Sequence, residues 1–436
     1  MSTDISNFSQ PAAPWRRITR HPHLMEYRRL NVLVALVNAV ALWWGIQVGW
    51  WWEADSFSLH HIADLVLINL SLGILIRQQR ITNLLFWLAT RLPKSAPLWL
   101  RWGAGKVFHF GGLHSGGNVA GTVWMSFLLF GMGWNFSQGL GGVSQTTLAL
   151  TGFMLALLLL MIMTAVSPFR AKFHDVFERV HRFVGWSVLG LFWAQTLSIL
   201  HDTGGTLMGS TAFWMLCLIT FSIALPWMTL KKVPITVAKP SDHAVAVTFD
   251  YGVSPFPGSS NSISLSPLLE WHAFANIPSP DKTGYRLVIS RAGDWTGDFI
   301  DNPPSHVWVK GITTSGVARI ETLFKKVVYV ATGSGIGPVL PHLLAQDIPI
   351  KLIWSTRSPR DTYGSIVDEV EENSPDALIW DTDQRGKPDL SKLALAAVRA
   401  FDAEAVICIS NAKLTRKVVY DMESHGIPAF GAIWDS

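Results

Sequence analysis

Six long apolar segments occupy the first half of the chain, and they restrict its fold more than any other feature. Each approaches the roughly 20 residues that an α-helix needs to cross the hydrocarbon core of a bilayer. The chain is 49% hydrophobic and contains 21 tryptophans, which is unusual for a soluble domain. The sequence therefore predicts a bundle of six membrane-spanning helices, at about Leu30–Trp50, His61–Ile76, Asn118–Asn135, Thr147–Val166, Phe183–Leu200 and Thr211–Leu230.

The charges between these segments alternate, and they predict the orientation of the bundle. Lys and Arg precede the first segment, follow the second, separate the fourth from the fifth and follow the sixth, whereas the other three connections contain none. The positive-inside rule then places both termini in the cytosol, in a membrane that the sequence does not identify. The net charge of +4 is a consequence of this topology and does not indicate nucleic-acid binding. Ile81–Trp102 is apolar but contains Pro93 and Pro97, so we expect it to lie along the inner interface.

The second half of the chain changes to short strand-like runs separated by Pro, Gly, Ser and Asp. These runs predict a small antiparallel β-barrel, the usual form of a flavin-binding module. From Lys325 strands alternate with helices, which predicts a doubly wound α/β sheet with its ligand crevice at the strand ends. The predicted organisation is a cytosolic segment at 1–29, a transmembrane domain at 30–232, an FAD-binding barrel at 233–323 and an NAD(P)-binding domain at 324–436.

The stretch Val327–Pro338, VVYVATGSGIGP, predicts a dinucleotide site. A buried strand leads into a glycine-rich turn, in which backbone N–H groups can approach a pyrophosphate closely. The candidate contacts are Gly333, Ser334, Gly335, Ile336, Gly337 and Pro338. Ser355 and Arg357 end the next strand, and an Arg there favours the 2′-phosphate of NADPH over NADH. The alternatives are an ordinary strand-to-helix turn and a solvated Arg357.

The motifs of this half, in their order, resemble the ferredoxin–NADP reductase superfamily and, within it, the membrane branch of ferric reductases and NADPH oxidases. The matching pieces are EWHAFANIP at Glu270–Pro278, GDWT at Gly293–Thr296, GITTSG at Gly311–Gly316, GSGIGP at Gly333–Pro338 and STR at Ser355–Arg357. HSGG at His114–Gly117, HRFVGW at His181–Trp186 and the ending GIPAFGAIWDS are similar to fungal transmembrane flavoproteins of the TmpA type. Relatives of those proteins can be fused to adenylate-forming enzymes.

The resemblance implies FAD as a second cofactor and assigns residues to it. The flavin pyrophosphate is expected at Gly293, Asp294, Trp295 and Thr296. His272 is expected near the flavin phosphate or ribitol, Phe274 near the isoalloxazine, and Tyr363 against the adenine of the pyridine nucleotide. Ala273 replaces the family's Pro, and Ala275 replaces the hydroxyl residue that hydrogen-bonds flavin N5. Asn276 or a backbone N–H is the candidate substitute.

Two residues near the C-terminus have two interpretations each. The family's Cys-Gly-Pro is replaced here by CISN, so Cys408 either lies beside the nicotinamide or is a buried strand cysteine. Trp434 either stacks over the flavin or packs elsewhere. Together with Phe274 they are the candidate catalytic residues.

The histidines of the helical half bear on electron transfer across the bilayer. Relatives that transfer electrons across it hold two haems between the third and fifth helices, with ligand histidines 13 or 14 residues apart on each. His114 and His181 are the candidate ligands of one inner haem b, with His109 and His174 as nearby alternatives. Phe127 and Leu128 lie 13 and 14 residues after His114, and Ala194 and Gln195 lie 13 and 14 residues after His181. None of these side chains is a haem ligand, so no outer haem is expected. The alternative is that the two histidines hydrogen-bond at the inner interface or line a substrate or quinone site.

These observations predict a membrane-bound NAD(P)H-dependent FAD oxidoreductase. Electrons are expected to pass to a haem, a quinone, oxygen or a small molecule at the inner membrane face. One alternative is a redox tailoring partner of an adenylate-forming biosynthetic enzyme. Another is a membrane sensor or scaffold with a degenerate flavin fold, which the departures at Ala273 and Ala275 leave open.

Overall fold

The computed structural model describes residues 14–279 and 283–431, and it divides into two compact units. One, the helical unit, consists of Glu26–Ile81 and His109–Met228. The other, the sheet unit, consists of the described residues within Met1–Met25, Thr82–Phe108 and Thr229–Ser436. Residues 82–108 therefore group with the sheet unit, whereas the predicted organisation places them inside the transmembrane domain.

The secondary structure of the described residues is mixed. The helices are α1 (Pro14–Thr19), α2 (Glu26–Val48), α3 (Leu59–Leu75), α4 (Gln79–Ala89), α5 (Leu98–Gly105), α6 (Gly111–Ser137), α7 (Gln145–Ala165), α8 (Ser167–Lys172), α9 (His174–Thr203), α10 (Thr211–Met228), α11 (Asp294–Asp301), α12 (Ile336–Ala345), α13 (Pro359–Tyr363), α14 (Ser365–Asn373), α15 (Thr382–Arg385), α16 (Leu390–Phe401) and α17 (Ala412–Ser424). The strands are β1 (Trp52–Glu53), β2 (Ser56–Phe57), β3 (Lys231–Pro234), β4 (Thr236–Ala238), β5 (Ala244–Phe249), β6 (Ser259–Ser264), β7 (His272–Ala275), β8 (Ile277–Pro278), β9 (Tyr285–Ser290), β10 (His306–Val309), β11 (Thr314–Ser315), β12 (Val327–Thr332), β13 (Ile350–Thr356), β14 (Leu378–Asp381), β15 (Ala405–Ile409) and β16 (Ala429–Gly431).

All six predicted apolar segments are helical, as α2, α3, α6, α7, α9 and α10. By length and composition, five helical stretches of the described residues are candidate membrane spans. A sixth is added if α3 and α4, which meet at a bend of 75°, form one broken span. The helical prediction is confirmed, whereas the crossing of a membrane stays a prediction.

Two antiparallel sheets form the first part of the sheet unit. One has the order β4-β5-β9-β8, and the other the order β11-β6-β10-β3, with β7 also paired to β6. Alternate side chains of both sheets, among them Val247, Ile263, Leu287 and Val307, share one core. The predicted antiparallel strands are confirmed, although their hydrogen bonds divide into two sheets rather than closing one continuous barrel.

A parallel five-stranded sheet forms the second part, in the order β14-β13-β12-β15-β16. Numbered along the chain, this is the order 3-2-1-4-5 of a doubly wound fold, which confirms the predicted α/β architecture. The edge strand β16 was not among the predicted strands. The order reverses between β12 and β15, and a doubly wound sheet binds its ligand at the carboxyl ends of the strands at such a point.

Candidate functional site

The glycine-rich turn lies at this reversal of strand order. β12 ends at Thr332, Gly333–Gly335 form one 3₁₀ turn, and α12 begins at Ile336. Gly333 has a φ of +50°, in the left-handed region that favours glycine. A Cβ atom on Gly335 would overlap the carbonyl oxygen of Ile409, at the end of β15. The turn therefore passes so close to β15 that only glycine fits at position 335.

The surroundings of this turn suit an anionic group. The hydroxyl oxygens of Thr332 and Ser410, at the ends of the two central strands, lie 2.6 Å apart. The N–H of Ile336 donates to the carbonyl oxygens of Gly333 and Ser334, and Pro338 has no N–H, so the dipole of α12 is what favours a phosphate at this turn. A Cβ atom on Gly337 would meet only Val288, at 3.5 Å, so packing does not require a glycine at position 337. The residues present fit a dinucleotide pyrophosphate.

Two arginines, Arg357 and Arg360, follow β13, and their contacts differ. Ser355 is buried, whereas Arg357 is exposed. Among the described residues, none forms an ion pair with the guanidinium of Arg357. Arg360 differs, because its guanidinium lies 2.5 Å from Asp368 and 2.6 Å from Glu371. Arg357 is thus the arginine at this strand end that is available to a phosphate.

Tyr363 does not present a ring face to the site. Its side chain is fully buried and packs edge-on against Trp354, with 5.2 Å between the ring centroids. Stacking on adenine would require the ring to move out of the interior. Trp354 in turn donates a hydrogen bond from Nε1 to the carbonyl oxygen of Gly333, at 2.9 Å. Trp354 is thus a supporting residue of the turn that the sequence analysis missed.

The hydrogen-bond donors at the GDWT segment, Gly293–Thr296, bind acceptors at the segment itself. The N–H groups of Ala292 and Gly293 donate to the hydroxyl oxygen of Thr296, at 2.9 and 3.1 Å, and this hydroxyl donates to the carbonyl of Gly293. These groups are therefore engaged with one another, so the predicted contact of Thr296 with a pyrophosphate requires one of these hydrogen bonds to break. Asp294 is exposed and begins α11, and the space beside the Gly293 Cα is open. The start of α11 is the part of this segment that remains accessible.

Three aromatic side chains, His272, Phe274 and Trp295, form what we call the aromatic cluster. The ring of Trp295 stacks on that of His272 with 3.9 Å between centroids, and on that of Phe274 with 6.2 Å. Trp295 Nε1 donates to Glu270 Oε1 at 2.7 Å, and Glu270 Oε2 lies 3.5 Å from His272 Nε2. The structure thus brings together the predicted residues of β7 and α11. Glu270, which was not among them, connects two of these rings.

Asn276 lies inside the antiparallel core instead of in the site. Its side chain is fully buried and donates from Nδ2 to the hydroxyl oxygen of Ser259, at 3.0 Å. The prediction that the Asn276 side chain substitutes for the missing hydroxyl at Ala275 is therefore wrong. The barrel residues fit a flavin at the aromatic cluster and at the start of α11, whereas at Ala275 a backbone N–H is the remaining candidate donor.

Cys408 occupies the middle of the parallel sheet. Its backbone pairs with Val330 and Gly431, and its side chain is fully buried. Burial raises the pKa of the Cys408 thiol to about 12, against a small lowering by a hydrogen bond to Thr415. This environment supports the interpretation as a buried strand cysteine. Trp434 lies outside the described residues, so its predicted role stays a prediction.

The two candidate haem ligands belong to the helical unit. His114 Nδ1 lies 2.6 Å from the carbonyl oxygen of Gly73, which leaves Nε2 as the ring atom available to a ligand. The Nδ1 atom of His181 is buried without a hydrogen-bond partner in the described chain. His181 lies in the second turn of α9, because this helix begins at His174. Within the described ranges, no group of three or more His, Cys, Asp or Glu residues is arranged to hold a metal ion.

The core of the helical unit fills positions where an outer haem would need a ligand. Leu128 is buried together with Met125, Met132 and Met154. Gln195 is also buried and donates a hydrogen bond from Nε2 to the hydroxyl of Thr151, at 2.7 Å. These two side chains belong to the packed interior of the helical unit, and the expectation about an outer haem stays a prediction.

Comparison with known proteins places this chain near adenylate-forming reductases. The family model described as "Adenylate-forming reductase 03009, C-terminal domain" matches residues 317–436. Adenylate-forming reductases 03009 and 06235 of Coprinopsis cinerea are 43% and 41% identical to the chain over 428 residues, which is 96% of this chain and 41% of each relative. The chain therefore spans about two fifths of the length of these curated relatives. A ferredoxin NADP+ reductase from Neisseria gonorrhoeae, solved with bound FAD and NADP, matches with a TM-score of 0.39 and 16% identity, over 47% of this chain and 98% of that one.

Proposed function

We propose that this protein is a membrane-bound oxidoreductase that uses NADPH and FAD to deliver electrons to an acceptor at the inner membrane face. The observation that carries the proposal is the glycine-rich turn at the reversal of strand order, where Gly335 lies against the Ile409 carbonyl. A turn with this position and these restrictions is typical of dinucleotide sites. The reductase names of the relatives support the assignment.

The chain's own residues bind and orient the cofactors. The glycine-rich turn and the start of α12 bind the pyrophosphate of NADPH, and Arg357 binds its 2′-phosphate. The aromatic cluster and the start of α11 hold the flavin. When bound, the two cofactors supply the hydride and electron chemistry, so the contribution of the protein is to fix their relative position.

The acceptor site is proposed at the end of the helical unit that carries His114 and His181. The basic connections of the sequence assign this end to the cytosolic side. His114 fits a haem ligand, because metal-bound histidines commonly donate their other ring N–H to a carbonyl, as the Gly73 contact allows. His181 does not fit equally well, since its Nδ1 lacks such a partner among the described residues. A quinone or another small molecule is therefore an alternative occupant of this site.

A second candidate function follows from the relatives. Both are named adenylate-forming reductases, and this chain corresponds to about two fifths of each. We propose as the alternative that the protein reduces or oxidises a product that an adenylate-forming enzyme makes. The acceptor would then be an organic small molecule instead of a haem.

Absorption spectroscopy of the full chain, purified in detergent, tests the first proposal. We expect flavin bands that bleach when NADPH is added without oxygen. Protein that carries no flavin after supplementation with FAD, and shows no reduction by NADPH, would favour the scaffold alternative and contradict both enzymatic proposals. A Soret band in haem-supplemented protein that disappears in His114→Ala and in His181→Ala would identify the acceptor as haem.

A further inference from the structure

The segment Thr82–Phe108, which we call the connecting segment, is firmly attached to the sheet unit. At its start the Asn83 side chain forms two hydrogen bonds with backbone, donating to the carbonyl of Thr313 and accepting from the N–H of Ser315, both at 2.8 Å. The Asn83 side-chain amide thus satisfies the backbone carbonyl of Thr313 and the backbone N–H of Ser315, as a neighbouring strand would. The contact fixes α4 to the antiparallel sheets.

Buried ion pairs attach the other end of the connecting segment to the parallel sheet. Arg101 donates to both carboxylate oxygens of Glu404, at 2.6 and 3.0 Å. Lys106 Nζ lies 2.5 Å from the buried carboxylate of Glu423, which also accepts a hydrogen bond from Trp102 Nε1 at 3.0 Å. Because breaking a buried ion pair strands an uncompensated charge, these contacts hold the segment in one position.

The opposite face of the connecting segment is apolar and exposed. α4 buries Thr82 and Phe86, whereas Leu84, Trp87 and Leu88 are 52%, 51% and 54% exposed. In α5, Trp99 is 71% exposed. A helix on the surface of a soluble protein has the reverse pattern, with its apolar stripe inside. Leu84, Trp87 and Leu88 lie three and four residues apart, on one side of α4, and exposed apolar residues grouped in this way mark an interaction surface.

The charges beside this face define the partner. The sequence contains no Asp or Glu between Asp64 and Asp175, so every charged side chain of the connecting segment is positive. The Arg91 guanidinium lies over the ring of Trp87, 4.5 Å from its centroid, and Lys94 follows in the next turn of the chain. Tryptophans and leucines flanked by Arg and Lys are the composition of surfaces that lie in the headgroup region of anionic membranes.

We infer that the connecting segment is a binding surface for anionic lipid headgroups, rigidly attached to the sheet unit by its other face. The lipid-facing residues are Leu84, Trp87, Leu88, Arg91, Lys94 and Trp99. The inference rests on the proposed membrane location and deepens it. It assigns to this segment the task of holding the sheet unit at the bilayer surface, where electrons are delivered.

Fluorescence quenching by spin-labelled lipid tests this inference on the full chain in nanodiscs. A fluorophore is attached at Trp99→Cys in a Cys217→Ser background, in which Cys408 stays unlabelled because it is buried. Val37→Cys on α2 is the matched position expected inside the bilayer, and Lys387→Cys is the exposed position on the sheet unit expected in water. We expect nitroxide on the acyl chain to quench position 99 at least about threefold more than position 387.

The three positions separate the possible failures. Quenching at 37 but not at 99 would overturn the lipid-binding surface and leave the membrane location intact. No quenching at 37 would contradict the proposed membrane location as well. Shielding of position 99 that increases with protein concentration and is independent of lipid would identify a second copy as the occupant and overturn the inference.

A second measurement tests whether the bound lipid headgroup is anionic. Nitroxide carried by phosphatidylserine is expected to quench position 99 more than nitroxide carried by phosphatidylcholine. Each basic side chain near the surface changes the partition of an anionic lipid roughly fivefold. The double variant Arg91→Gln, Lys94→Gln should bring the ratio close to one, whereas Lys387→Gln, the matched control, should leave it unchanged. An unchanged ratio in the double variant would contradict the assignment to anionic lipid.

Discussion

The glycine-rich turn and the aromatic cluster are two proposed binding sites of the sheet unit that are built in different ways. The turn is a backbone site, because the absence of a side chain at Gly335 lets it lie against the Ile409 carbonyl. The cluster is a side-chain site, because Trp295 is held by stacking on His272 and by its hydrogen bond to Glu270. We therefore expect the turn to be intolerant of a single added methyl group, and the cluster to lose function in smaller steps.

The largest effect is expected from Gly335→Ala. The added methyl group overlaps a backbone oxygen that no side-chain rotation can move away, so α12 or β15 must shift. Overpacking of this kind costs about 1–3 kcal/mol of folding free energy, and a shift of the turn should lower the rate of flavin reduction by NADPH about 100-fold. Thermal unfolding and stopped-flow flavin reduction measure the two effects.

Gly337→Ala is the matched control, two residues further along, in the first turn of α12. Its methyl group would make an ordinary contact with Val288, so we expect a change in unfolding free energy within about 0.5 kcal/mol. Flavin reduction by NADPH should fall far less than in Gly335→Ala, because no backbone atom has to move. Equal losses in the two variants would show that close approach to β15 is not what defines the turn.

The same contrast explains how much the sequence could predict. The spacing of glycines after a β-branched strand encodes a strand-to-helix turn directly, so the turn at Gly333–Pro338 and the doubly wound sheet were predicted correctly, whereas the dinucleotide at this turn stays a prediction. Trp295 was predicted as a phosphate contact, but its ring instead packs on His272, because β7 and α11 meet in the fold. Glu270 has no local pattern that identifies it as the acceptor for Trp295 Nε1. Contacts that form only between distant elements do not appear as a local pattern in one sequence.

The second prediction is that the Arg357 side chain adds to the glycine-rich turn by binding the 2′-phosphate of NADPH. Arg357→Ala removes an exposed guanidinium without an ion-pair partner in the described chain, so the KM for NADPH should rise about 10- to 100-fold. The KM for NADH, which lacks the 2′-phosphate, should stay unchanged. Arg360→Ala is the control, since the Arg360 guanidinium is already paired with Asp368 and Glu371. A parallel rise for both nucleotides in Arg357→Ala would contradict the assignment to the 2′-phosphate.

The third prediction concerns the aromatic cluster and is of intermediate size. Trp295→Phe keeps an aromatic ring but removes the Nε1 donor, and Glu270→Gln removes the charge from its acceptor. A hydrogen bond to a charged group contributes about 1.5–3 kcal/mol, part of which is recovered from water, so FAD should dissociate about five- to tenfold faster in each variant.

A double variant tests whether the two residues act as one unit. Residues joined by one interaction have non-additive effects, so Trp295→Phe combined with Glu270→Gln should weaken FAD binding hardly more than either change alone. The measurement is flavin fluorescence on release from the protein. Additive losses would show that Glu270 acts on the flavin by another route, for example through His272, which it also contacts.

The smallest effect is expected at Cys408, the one thiol of the parallel sheet. Because burial raises its pKa to about 12, the folded protein has essentially no thiolate at pH 8 and should not react with a disulfide reagent. Above pH 9 only the unfolded chain releases this proton, so the contribution of Cys408 to stability falls as pH rises from about 9 to 12. Cys408→Ala should therefore flatten the alkaline loss of stability while changing NADPH-dependent flavin reduction less than about twofold. If the variant kept its flavin but lost tenfold in that rate, Cys408 would belong to the nicotinamide site, and the backbone of the turn would not be sufficient to form it.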